Sequence, residues 1–219
     1  MNRMITVKGI GSISARPDQI VVSFTLANLD LVYQNAVEAT ASQLEDIQES
    51  LEEMGFDRSI LKTTDFQIEI RSDSIKDHEG NYHRVFKGYE CLQYLKLEFD
   101  FDPKVLGMVL QALFVSDANP ELSIGFSIKD PTAIKEELLR SATMDARRRA
   151  EILCEASGAR LGELLSIEYD WNEKNMRSRT VFRMPKREFL QFEGAMMNMA
   201  IEPESIDLRD SVTFVWQID

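Results

Sequence analysis

Apolar positions alternate with polar ones in some stretches of the chain and recur at helical spacing in others, and the switches between the two modes predict its elements. Met4 to Ala15 alternates loosely, with Ile5, Val7 and Ile13 on one parity. Gly9 and Gly11 inside it predict a bulge or a close backbone approach. Arg16-Pro17-Asp18 is a turn, since proline presets the corner and aspartate can bond its own backbone. Gln19 to Leu29 is a second strand, with Val22, Phe24 and Leu26 facing one way, and the two strands are expected to form a hairpin.

Leu31 to Met54 then carries Val32, Ala36, Ala39, Gln43, Ile47 and Leu51 at helical spacing. Glu38, Glu45, Asp46, Glu49, Glu52 and Glu53 fall on its wet side, and Gly55 ends it. Ile60 to Arg71 alternates through Phe66, Ile68 and Ile70, and Val85 to Phe101 is a long strand through Tyr89, Cys91, Leu95 and Leu97. With the polar loop Ser72 to His83 between them they predict a second hairpin. Asp102-Pro103 opens a shorter helix to Val115, with Val105, Val109, Ala112 and Leu113 inward, and Leu122 to Ile128 is a strand.

The longest helix is predicted between Asp130 and Gly158. Asp130 can accept from the first free backbone N–H groups, Pro131 suits the first turn, and Gly158 suits the left-handed residue that closes a helix. Ile134, Leu138, Ala142, Ala146, Ala150 and Leu153 form its apolar stripe. Only alanines occupy the middle, so this helix can lie close against what it covers, most simply a sheet. Glu163 to Trp171 and Ile206 to Ile218 are strands, and residues 172–205 form the least regular stretch. The pattern predicts an α+β fold of antiparallel sheets with helices packed on one face. A single domain over 1–219 is expected, with 1–101 and 102–219 as sub-domains and 172–205 as an irregular arm.

The residues at these positions resemble the SIMPL domain family, a widespread bacterial family of unknown function. Val7-Lys8-Gly9-Ile10-Gly11 with Arg16-Pro17-Asp18, then Gly55, Thr63-Thr64-Asp65-Phe66 and Lys87-Gly88-Tyr89 carry the first half of the likeness. Gly125 to Asp130, the spaced alanines, Gly158, Leu161-Gly162 and the closing strand carry the second. The resemblance covers nearly the whole chain. It implies fold and assembly, because many relatives are periplasmic and one periplasmic immunogenic relative builds a ring-like oligomer. It implies no catalytic residues.

Charge narrows the partners. The net charge of −12 opposes binding to nucleic acid or to an anionic membrane. Lys174 to Arg187 runs against that trend, with six positive charges (Lys174, Arg177, Arg179, Arg183, Lys186, Arg187) and no acid. An anionic polymer or lipid surface is one reading of it, and docking onto an acidic face of a second copy, such as the helix at Leu31–Met54, is the reading preferred. Phe189, Phe192, Met196, Met197 and Met199 add adaptable apolar bulk beside it, as an interface or as a cap on the protein's own core. A homo-oligomer is therefore expected.

Catalytic and metal chemistry have weaker support. Both histidines, His78 and His83, lie in one loop with Asp77 and Glu79, which are metal-ligand types, yet Asp77-His78-Glu79-Gly80-Asn81 also has the composition of a polar hairpin tip. A metal- or ligand-binding protein or hydrolase using this loop is the alternative function. No Gly-x-Ser-x-Gly elbow or phosphate-cradling glycine loop is present, and Cys91 and Cys154 are expected as buried thiols. No cofactor is expected. No charged-then-apolar leader opens the sequence, and the expected location is cytoplasmic.

Overall fold

The computed structural model describes residues 3–76, 81–115, 120–170, 176–184 and 201–219. The elements run β1 (Met4–Ala15), β2 (Gln19–Asp30), α1 (Tyr33–Glu53), β3 (Leu61–Lys76), β4 (Tyr82–Asp100), α2 (Pro103–Val115), β5 (Glu121–Ser127), α3 (Thr132–Ser157), β6 (Leu161–Glu168), β7 (Arg177–Met184) and β8 (Ile206–Ile218). This is the expected α+β fold. Two sheets form, a three-stranded one in the order β1-β8-β6 and a five-stranded one in the order β3-β4-β2-β5-β7. By contacts the chain divides into two compact units. The first joins Met1–Pro17, Ser127–Arg179 and Pro203–Asp219, and the second joins Asp18–Phe126 and Thr180–Glu202.

In the first unit α3 lies on β1 and β8. Asp130 Oδ1 accepts from the Thr132 N–H at 2.9 Å, and the Thr132 side chain first and that backbone bond second hold the carboxyl below its usual value. Gly158 closes the helix at φ 74°, and its N–H reaches the carbonyls of Cys154 and Glu155. The buried stripe is Leu138, Ala142, Ala146, Ala150 and Cys154. Leu153, expected inward, is 53% exposed, because an unbroken four-residue spacing carries the stripe to Cys154, which is 3% exposed.

The alanines meet the glycines of β1. A methyl group on Gly9 would sit 1.9 Å from the Ala142 carbonyl oxygen, and one on Gly11 would sit 2.1 Å from that of Leu138. The close-approach reading of the glycines is correct. Around this contact Val7, Val212, Phe214 and Trp216 are buried, the last two with rings stacked at 5.3 Å. Asp145 fastens the flank of the helix, its Oδ2 accepting from the Ile10 N–H at 2.8 Å while Arg149 holds it from the next turn. The Ile10 bond first and Arg149 second hold the Asp145 carboxyl below the usual carboxylate range.

The second unit packs α1 and α2 on its sheet with large side chains. Ile47, Leu51, Leu106, Leu110 and Leu113 bury against Ile20, Val22, Phe24, Leu26, Leu95, Leu97 and Phe126. Each such side chain contributes about 1.5–3 kcal/mol relative to full exposure. The stripe of α1 runs through Ala36, Thr40, Ile47 and Leu51. Thr40 replaces the expected Ala39 because its hydroxyl is satisfied, donating to the Ala36 carbonyl at 2.9 Å and accepting from Asn28 Nδ2 at 3.0 Å.

Three expectations are corrected. β1 and β2 do not pair, since β1 joins β8 in register from Met4↔Gln217 to Ala15↔Ile206, whereas β2 joins β4. Arg16-Pro17-Asp18 is thus the corner where the chain leaves one sheet for the other. The second hairpin exists but is longer than its apolar alternation, with Ser72–Lys76 and Tyr82–Arg84 inside the ladder. Within the stretch expected to be irregular, Arg177–Met184 is a strand. Its alternating arginines conceal a β pattern that Thr180, Val181 and Phe182 satisfy. Among the described residues no helix is long and apolar enough to cross a membrane.

Candidate functional site

Strand β7 presents two unlike faces. On one parity Ser178 is buried and donates to the Glu204 carbonyl at 2.7 Å, and Phe182 meets the edge of Phe126 with ring centroids 6.2 Å apart. On the other parity Arg177, Arg179, Val181 and Arg183 are all exposed. Among the described residues none of the three arginines has an ion-pair partner. β7 is also the last strand of its sheet. Three of the sequence-predicted interface residues are thus gathered in one row. Lys186, Arg187, Phe189, Phe192, Met196 and Met197 lie outside the described residues.

The complementary charge sits on α1. Glu38, Glu45, Asp46, Glu49, Glu52 and Glu53 are all exposed, as the wet side of the sequence pattern requires. Glu52 is bound by Arg58 at 2.9 Å, and Glu38 accepts from Gln34. The others are not matched by a cation of their own helix, so the face is strongly negative. The spacing along one surface lets several of these carboxylates meet a row of guanidiniums at once.

Arg183 also closes one end of a groove of about 350 Å³ on the face of the five-stranded sheet away from its helices. Ser23, Thr25, Thr64 and Ser123 bring hydroxyls to it, with Tyr94 and Glu121 beside them. The Thr64 hydroxyl is committed to the Tyr94 carbonyl at 3.2 Å. Among the described residues no histidine or lysine lines this groove, and Glu121 brings a carboxylate to it. What the lining offers is hydrogen bonding, one positive charge from Arg183 and one carboxylate from Glu121. A second hollow, of about 540 Å³, lies on the three-stranded sheet, where Lys8, Thr213 and Glu168 stand in register and Tyr169 donates to Asp210 Oδ2 at 3.0 Å. Burial first and that bond second push the Tyr169 phenol up.

The histidine loop gains no support as a site. His83 is placed on β4 opposite Ile75 and not in a loop, while Asp77 and His78 lie outside the described residues. Among the described residues no three histidine, cysteine or acidic groups cluster as metal ligands would. Cys91 and Cys154 are buried free thiols, as expected.

One surface escaped the sequence reading. Phe66, Ile68 and Ile70 stand on the side of β3 that shares a face with Cys91 and Tyr89, as an inward row should. Yet Phe66 is 48% and Ile70 67% exposed, because α1 packs over β2 and β4 and stops short of β3. Tyr89 carries the edge-on rings of Tyr33 at 5.8 Å and Phe86 at 5.3 Å, which extends the apolar surface. Alternation reports that a strand has an apolar face. It does not report whether a helix covers it.

No curated protein matches the chain. One family model does, over residues 5–216, and its description is that of a protein of unknown function (DUF541). The match runs from the glycine-bearing first strand to the strand that pairs with it, and so takes in both sheets and all three helices. On that span, the chain belongs to the SIMPL family.

Proposed function

We propose that the protein is a non-catalytic, self-associating member of its family, in which the arginine row of β7 docks on the acidic face of α1 in a second copy. The observation that carries this reading is the row itself. Arg177, Arg179 and Arg183 are held out from an end strand by the opposite parity being anchored, in a chain whose net charge is −12. Such a row is attracted to the protein's own acidic surface over about 8–10 Å at ordinary ionic strength, and the attraction fades as salt rises.

Charge reversal tests the pairing. Arg177→Glu, Arg179→Glu and Arg183→Glu together are expected to lower the mass measured by light scattering after size exclusion. Mixing that variant with one carrying Glu45→Lys, Glu49→Lys and Glu53→Lys is expected to restore association. A triple arginine variant with the parent's mass at every salt concentration contradicts the reading.

A further inference from the structure

We propose a second self-contact, in which the open edge of β3 pairs antiparallel with the same edge of another copy about a two-fold axis at Ile68. The inference rests on the reading that the protein self-associates, but uses a different surface from the arginine row.

β3 ends its sheet, and among the described residues no strand pairs with its outer edge. Long open edges are normally blunted by bulges, prolines or inward charges. Here the irregularities fall at Thr63/Asp65 and Arg71/Ser72, and between them Asp65–Arg71 runs in unbroken register with β4, from Asp65↔Tyr94 to Ile70↔Tyr89 and Arg71↔Gly88. That window, DFQIEIR, contains no proline. The Phe66 N–H is directed away from β4 and is capped by its neighbour Asp65 Oδ1 at 2.8 Å, a bond that the pairing replaces with one to the other copy. By the alternation of an antiparallel strand, the N–H groups of Ile68 and Ile70 leave on the same side.

An axis at Ile68 uses the whole regular window from Asp65 to Arg71, and the chemistry favours it over the two adjacent registers. With the axis at Ile68, Phe66 faces Ile70 of the other copy, Ile68 faces itself, Gln67 faces Glu69, and Asp65 faces Arg71. Arg71 is already held on that face by Glu69 at 3.4 Å and by Glu90. The third carboxylate it meets, Asp65 of the other copy, exchanges for it the Phe66 N–H and the Gln67 Nε2 that it now accepts from. Moving the axis to Glu69 sets two copies of that carboxylate face to face. Moving it to Gln67 sets Asp65 against Glu69. Like charges directly opposite destabilise a sheet, whereas paired apolar and opposite-charge residues each contribute about 0.2–1 kcal/mol. An axis perpendicular to the sheet also keeps both apolar rows on one side. The Phe66, Ile68 and Ile70 side chains of the two copies then form one continuous surface.

Cysteine scanning reads the register. Ile68→Cys places two thiols opposite each other, and under mild oxidation it is expected to give on the order of ten-fold more disulfide-linked dimer than Phe66→Cys, since only self-opposed positions bring Cα atoms within disulfide span. Phe66→Cys mixed with Ile70→Cys is expected to cross-link as a heterodimer. The parent protein is the control for the buried Cys91 and Cys154. Equal cross-linking at all three positions, or none at position 68 in a protein that light scattering shows to be multimeric, overturns this contact and leaves self-association standing. A parent protein that is monomeric at every concentration and salt overturns both.

Discussion

Helix α3 meets its sheet through alanines laid on glycines, whereas α1 and α2 meet theirs through leucine, isoleucine and phenylalanine. The first contact leaves no room for a methyl group, and its stability comes from many short backbone and small-side-chain contacts plus the Asp145 tie to Ile10. The second fills a wider gap with interlocked side chains. Close-packed layers of these two kinds fail in opposite ways. The thin one is sensitive to added volume, and the thick one to removed volume.

The largest effect is expected from emptying the thick layer. Phe126→Ala removes a fully buried ring that touches Phe101 and Phe182, and should cost about 3–5 kcal/mol in chemical denaturation. Filling the thin layer comes next. Gly9→Ala drives a methyl into a helix backbone that cannot swing aside, and should cost about 3 kcal/mol or more by overpacking. A Gly9→Ala protein as stable as its parent breaks the comparison.

A smaller effect is expected from Asp145→Ala, about 1 kcal/mol for one exposed hydrogen bond to a carboxylate. Its sign with pH is fixed by the depressed carboxyl: the folded state favours the ionised form, so the contribution is present above the ordinary carboxyl value near 3.9 and is lost as pH falls through the lower folded value. The difference between variant and parent should therefore shrink below about pH 4, a trend that denaturation at several pH values would reveal. Gly125→Ala sharpens the contrast from the other side. It is the same substitution in a strand, but its nearest neighbour is the Val21 carbonyl oxygen at 3.9 Å, so it should shift stability by no more than about 0.5 kcal/mol.

The thin layer was the more legible in sequence. Asp130, Gly158 and the alanine row announce a long helix built for close approach, and Gly9 and Gly11 announce a bulge or a close approach in the first strand. That the two meet came from the packing. What local pattern could not supply was the partner of β1, since a strand's alternation is the same whichever strand it joins, and its mate β8 lies at the other end of the chain. The corner at Arg16-Pro17-Asp18 reads the same for a hairpin as for a change of sheet. The surfaces divide likewise. Arg177, Arg179 and Arg183 were marked by charge alone, but that they share a strand face needed the ladder. Phe66 and Ile70 mark the apolar side of their strand and are nonetheless surface, because coverage by α1 is a property of packing and not of the strand.

The absolute mass of the parent protein in solution, measured by light scattering after size exclusion at low and high salt, tests the central claim most directly. A defined multimer that loosens as salt rises is the predicted result, because the arginine row and the acidic helix are exposed charges that salt screens. A monomer at every salt and protein concentration contradicts it.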